Sequence, residues 1–173
     1  MGLKKSSVEL LPVQVSDTTK VNAYSKGGSI KNKVMYESQT QVRVRYAETD
    51  QMNVVYYGNY AQYFEVGRVE SIRQVGYTYK DMEASGVIMP VVEFSIKYLR
   101  PATYDDLLTI KTTVRELPED HRIEFFQEVY NEDGKMLTAG KVVLYFLNSS
   151  TRKKTVMPEL LRKKLEPYFS NKG

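Results

Sequence analysis

Residues 59 to 75, NYAQYFEVGRVESIRQV, form the best helix candidate of the chain, and their reading decides the fold. At about 100° per residue, Tyr60, Ala61, Tyr63, Phe64, Val69, Ile72 and Val75 cover a wide arc, while Asn59, Gln62, Glu70 and Arg73 share a narrow one. A helix apolar over so much of its circumference is expected to be mostly enclosed by protein. Asn59 suits the N-cap and Gly76 the position after the C-cap. Glu65 and Arg68 fall inside the apolar arc three residues apart, so the spacing predicts that they pair with each other as they lose water.

Outward from this helix the pattern is mainly β. Before it, Val42, Val44 and Tyr46 alternate with Arg43 and Arg45, which predicts a half-buried strand over 39–46. After it comes a short helical turn over 79–84. Val92, Phe94, Ile96 and Tyr98 then alternate with polar residues, as do Leu108, Ile110, Thr112 and Val114. Two further strands, 122–130 and 135–147, flank Asn131-Glu132-Asp133-Gly134, whose Asp-Gly pair favours a tight hairpin. Pro158 opens a basic amphipathic end over 159–168. Five antiparallel strands need an apolar cover on one face, and only one long apolar helix is available. The expected class is therefore α+β, a five-stranded antiparallel sheet wrapped around a central helix.

The 173 residues suit one compact unit, with residues 1–33 as a flexible basic leader and 34–173 as a single domain. The net charge of +4 lies in that leader, where Lys4, Lys5, Lys20, Lys26, Lys31 and Lys33 face only Glu9 and Asp17. The rest of the chain is balanced, which argues against a nucleic-acid partner. Zero cysteine excludes disulfides, thiolate metal sites and a cysteine nucleophile. With no long apolar run and no secretory pattern, neither an integral membrane segment nor export is expected, and the location expected is cytoplasmic. Met1-Gly2-Leu3-Lys4-Lys5-Ser6 also fits the short myristoylation pattern.

The segment from Tyr46 to Tyr60 carries the chemistry. It brings a carboxylate, Asp50, to the loop before a helix start at which Tyr57, Gly58 and Asn59 offer backbone N–H groups. Hydrolysis of an activated acyl group needs such a pair: donors for the developing oxyanion, and a carboxylate to attack or to activate water. By spacing alone, Asp50 equally suits the role of capping a turn.

Residues 45–70, RYAETDQMNVVYYGNYAQYFEVGRVE, resemble the hotdog-fold acyl-CoA thioesterases of the 4-hydroxybenzoyl-CoA thioesterase and YbgC type. Thr49-Asp50, Val54-Val55-Tyr56, Asn59-Tyr60 and Phe64-Glu65 lie at that family's spacings, and YLRPATYDDLLTIKT, residues 98–112, is similar to its strand, Pro-Ala turn and strand. The likeness covers about residues 38–160. It implies a hotdog fold, a homodimer or homotetramer, and acyl-CoA sites between subunits. It further implies Asp50 as the catalytic carboxylate, and the amide of Tyr57, together with that of Gly58, as donor to the thioester carbonyl. Met52, Tyr56, Asn59, Tyr60 and Glu65 are the implied substrate contacts. No metal or cofactor is implied, since coenzyme A enters as part of the substrate. Two positions depart from the pattern. Asn53 stands where many relatives have Gly, which suggests a positive φ, and Tyr57 stands where YbgC-like members often have His. An acyl-carrier-protein thioesterase and a non-hydrolytic binder of acyl thioesters or of acyl carrier protein are the alternative readings.

Other candidates have plainer readings. Met52, Tyr56, Tyr57, Tyr60, Tyr63 and Phe64 suit an acyl pocket or plain core. His121, after Pro118-Glu119-Asp120, is expected to be a solvated loop residue. Arg152-Lys153-Lys154 and Arg162-Lys163-Lys164 suit phosphates, an acidic carrier surface or solvent.

Overall fold

The computed structural model describes residues 35–170, so the leader and its lipidation pattern lie outside the described residues. Strand β1 is Tyr36–Arg43, helix α1 Tyr60–Gln74, helix α2 Tyr79–Ala84 and strand β2 Val87–Ile88. There follow β3 Val91–Tyr98, β4 Leu107–Val114, β5 Arg122–Tyr130, β6 Met136–Tyr145, β7 Leu147–Asn148 and helix α3 Glu159–Leu165. The main sheet has the order β1-β4-β5-β6-β3, antiparallel throughout, and β2 pairs with β7 in a small second sheet. This is the expected α+β class: helix α1 lies across a five-stranded antiparallel sheet.

What lets the helix approach so closely is the absence of a side chain at one point. A Cβ at Gly67 would come within 2.6 Å of the Ile110 methyl and 2.7 Å of Gln127 Nε2. From β5, buried Gln127 donates to the Phe64 carbonyl at 2.8 Å and to Thr112 Oγ1 at 3.0 Å, tying the helix to two strands. The Tyr36 hydroxyl of β1 donates to the Ser71 carbonyl at 2.7 Å. Phe64, Ile72, Leu108, Ile110, Phe125 and Leu144 are fully enclosed between helix and sheet. Each large apolar side chain so buried contributes about 1.5–3 kcal/mol.

Four expectations are corrected here. The buried stripe of α1 is Tyr60, Tyr63, Phe64, Gly67, Arg68, Ser71 and Ile72, while Ala61, Glu65 and Val66 are exposed. The small residues Gly67 and Ser71, rather than the bulkiest ones, select the contacting face. Glu65 therefore makes no buried pair with Arg68, and the pair that α1 forms is Glu70 with Arg73. Asn59 does not cap: its own backbone is helical and it makes no capping bond, because its side chain points back to the preceding loop. β1 ends at Arg43 because the Val44 amide turns to the Asp106 carbonyl and Tyr46–Glu48 coils into a 3-10 turn.

The alternation over 91–98 does form a strand, but an edge strand. Val92, Phe94 and Tyr98 are exposed although their alternation promises burial, and Val91 beside them is exposed as well. The expected turn over 79–84 is present, with Thr78 and Asp81 bonded reciprocally as a capping box. Gly134, at φ 70°, closes the expected hairpin between β5 and β6.

Candidate functional site

Between β1 and α1 the chain folds into a small hairpin that presents Asp50. Thr49 bridges Val55, the Asp50 amide donates to the Val54 carbonyl at 2.9 Å, and the Asn53 amide returns to the Asp50 carbonyl at 3.0 Å. Asn53 has φ 60°, the positive value expected of it, which suits a turn closed by a left-handed residue. The Asp50 carboxylate is half-buried. Its Oδ1 accepts from the Met52 amide at 2.8 Å, while Oδ2 has no partner among the described residues. Asp50 thus does cap its turn, and it does so with one oxygen alone.

The carboxylate that organises the region is Glu48, which the sequence reading missed. It is 6% exposed, and four donors converge on it. The Arg45 amide and the Tyr63 hydroxyl reach Oε2, each at 2.8 Å. Arg45 Nε and Nη2 reach Oε1 at 2.8 and 2.5 Å. Burial by itself would raise the Glu48 carboxyl, but the bonds from Arg45 and Tyr63 outweigh it and hold the group below the ordinary glutamate range. Tyr63 is pushed well above the usual phenol value, first by burial and then by the neighbouring carboxylate. The Glu48 carbonyl accepts from the Tyr56 amide at 2.9 Å and from Asn59 Nδ2 at 2.7 Å. A bond from an N3 Glu back to the first residue of its turn is half of a capping box, but Arg45 stands where that signature has Ser or Thr. No recognisable motif marked Glu48 in the sequence.

After Tyr56 the chain turns through Tyr57–Asn59 into α1. The Asn59 amide donates to the Tyr56 carbonyl, but the amides of Tyr57 and Gly58 have no acceptor among the described residues. Two unpaired donors at the head of a helix are suited to an oxyanion. Gly58 leaves room for the Tyr56 ring, whose edge carbon would lie 2.8 Å from a Cβ there. Around the turn stands an aromatic cluster: Tyr56 meets Tyr57 at 4.5 Å, and Tyr98 of β3 meets Tyr57 and Tyr60 edge-on at 6.2 and 5.6 Å. The Tyr98 hydroxyl donates to the Tyr57 carbonyl at 3.0 Å.

The implied site residues therefore divide. Asp50, Met52, Tyr56, Tyr57 and Gly58 share one loop and turn; Met52 is 74% and Tyr57 61% exposed. Tyr60 is core rather than pocket lining, 2% exposed and packed on Tyr63 and Tyr98. Asn59 gives its amide group to the Glu48 carbonyl and so braces the loop. Glu65 stands on the exposed face of α1, outside the buried stripe. His121 is half-buried against Tyr145, at 4.7 Å, instead of lying free in solvent. The two basic runs are partly engaged: Lys154 lies over the Tyr145 ring at 4.9 Å, Arg162 donates to the Pro118 carbonyl, and Lys163 pairs with Glu159 at 3.5 Å.

A sequence profile of the thioesterase-like superfamily matches residues 44–165, which include this loop, the turn and α1. The chain belongs to that family. YneP of Bacillus subtilis is 37% identical over 102 residues, covering 59% of this chain and 73% of YneP. The acyl-CoA thioester hydrolase YbgC of Escherichia coli is 27% identical over 118 residues, covering 68% of this chain and 87% of YbgC. Among solved structures, the DHNA-CoA thioesterase of Staphylococcus aureus superposes with a TM-score of 0.66 at 37% identity, over 69% of this chain and 79% of that one. The fold is the hotdog fold of these thioesterases. Among the described residues, no helix is long and apolar enough to cross a membrane.

Proposed function

We infer that this member of the thioesterase-like superfamily hydrolyses acyl-CoA thioesters, with Asp50 as the catalytic carboxylate and the amides of Tyr57 and Gly58 as oxyanion donors. The observation that carries this reading is the pair of unpartnered amides on the turn that follows the Asp50 hairpin. Water adds to the thioester carbon and its proton passes to Asp50 Oδ2. The carbonyl oxygen, now negative, is held by the two N–H groups. The C–S bond then breaks, and the coenzyme A thiolate leaves and takes up the proton. One well-placed oxyanion donor is worth about 10²–10³ in rate. Tyr56, Tyr57 and Tyr98 offer apolar faces at the turn, and Met52 an exposed one on the preceding loop, that suit a short or aromatic acyl group.

The site is completed in this reading by a second copy of the chain. β3 is an edge strand with exposed Val91, Val92, Phe94 and Tyr98, and the last of these touches the turn at Tyr57. Exposed apolar edges of this kind are normally covered.

The test is release of free thiol from short, long and aromatic acyl-CoAs, with acyl carrier protein thioesters as a parallel arm. Turnover of at least one acyl-CoA is expected, and Asp50→Asn should lower kcat by about 10²–10⁴-fold with an unchanged circular dichroism spectrum. Normal turnover by that variant would remove Asp50 from the chemistry. Binding of acyl-CoA with no thiol release by the native chain would overturn hydrolysis itself.

A further inference from the structure

Glu48 is the most heavily bonded buried ionisable group described in the chain, yet the proposed reaction gives it no part. Its side chain and its backbone act on different pieces of the same loop. The carboxylate, through Arg45 and Tyr63, is anchored to the start of the 3-10 turn that follows β1 and to the buried face of α1. The carbonyl, through the Tyr56 amide and Asn59 Nδ2, grips the returning strand of the hairpin and the last residue before the helix. Asp50 lies two residues beyond Glu48 on the outgoing strand, and Tyr57 and Gly58 lie between the two groups that the Glu48 carbonyl holds. The rungs Glu48 to Tyr56, Thr49 to Val55 and Asp50 to Val54 then form one continuous ladder that begins at Glu48.

Resting on the reading above, we propose that Glu48 is a positioning residue for thioester hydrolysis, fixing Asp50 relative to the amides of Tyr57 and Gly58 by holding Arg45 and Tyr63 with its carboxylate and Tyr56 and Asn59 with its carbonyl. It touches no substrate. The chemistry of the pocket supports a role for the charge itself. All four groups aimed at the carboxylate are donors, so glutamine at this position would set its own NH₂ against two of them. The glutamine carboxamide must then rotate or retreat, and the ladder that starts there moves with it. Displacement of reacting groups by about 1 Å is enough to lower a rate by about 10²-fold.

The experiment compares Glu48→Gln, Tyr63→Phe, Asn59→Ala and Asp50→Asn with the native chain, in thiol-release kinetics on the best acyl-CoA of the panel. Dissociation constants for a non-hydrolysable thioether analogue and thermal midpoints are measured alongside. Glu48→Gln is expected to lower kcat by about 10–10²-fold, with KM and the analogue's dissociation constant within threefold. Tyr63→Phe and Asn59→Ala, which remove one donor each, should lower kcat by less, without a matching loss of binding. If Glu48→Gln does not fold, Asn59→Ala carries the test. Equal kcat for the native chain and Asn59→Ala then overturns the proposal, as does native kcat in a folded Glu48→Gln. A loss of activity that follows the thermal midpoint and vanishes on cooling also overturns it, since that marks stability alone. Loss in Asp50→Asn with native kcat in Glu48→Gln sinks this inference and leaves the thioesterase reading standing. Native turnover in Asp50→Asn sinks that reading instead.

Discussion

Replacing Gly67 by alanine tests the central packing claim, because helix propensity and geometry give opposite signs there. Alanine in a helix interior is favoured over glycine by about 0.8–1 kcal/mol, so a helix free of its sheet would gain stability. Against that, the new methyl would sit 2.6 Å from the Ile110 methyl, 2.7 Å from Gln127 Nε2 and 2.9 Å from Thr112 Oγ1. Overpacking a core costs about 1–3 kcal/mol. Moving Gln127 would also break its bonds to the Phe64 carbonyl and Thr112, and a buried polar group left unmatched costs about 1–3 kcal/mol more. The net expectation is a loss of about 1–5 kcal/mol. At about 2–4 °C per kcal/mol for a chain of this size, the thermal midpoint should fall by about 2–20 °C. Circular dichroism melts and urea titrations at matched protein concentration supply the measurement. A Gly67→Ala chain as stable as the native one, or more so, would show that α1 does not lie this close to β4 and β5.

Acid should act through Glu48. Its folded-state carboxyl titrates below its unfolded value, so the stability it supplies is complete above about pH 4.3 and is lost as pH falls through the lower folded value. Thermal midpoints of the native chain should therefore fall more steeply below pH 4 than those of Glu48→Gln, and parallel curves would contradict the assignment. If β3 is the proposed subunit contact, Val92→Lys should shift the mass in light scattering toward the monomer, and an unchanged mass would remove β3 from that role.

The fold was readable where pattern and burial coincide. Periodicity located α1, the hairpin at Asn131–Gly134 and the turn over 79–84, because those elements follow local rules of spacing, φ and capping. Position 53 was readable for the same reason. Long-range geometry was not. Which face of α1 meets the sheet depends on Gly67 fitting beside Ile110, a contact 43 residues away in sequence, so the apolar arc takes in Ala61 and Glu65, which lie outside. The alternation in β3 shows a strand but not that it lies at an edge, which only the order of pairing decides. In the candidate site, Asp50 and Tyr57 stood out by their place before a helix. Glu48 did not, because its partners Arg45 and Tyr63 come from either side of the hairpin and match no capping signature.

The contact between Tyr98 and Tyr57 reaches further than a single bond suggests. The carbonyl that receives the Tyr98 proton and the Gly58 N–H belong to one rigid amide plane, so whatever grips the oxygen also aims the hydrogen. Polarisation runs the same way, since an amide whose oxygen accepts a proton donor is itself a stronger donor. Because Tyr98 ends an edge strand, loosening that margin would tilt the plane and, in the proposed reaction, weaken its grip on a developing negative oxygen. With the proposed second copy seated on that edge, its association and the rate of hydrolysis would rise and fall together, linked through one phenol.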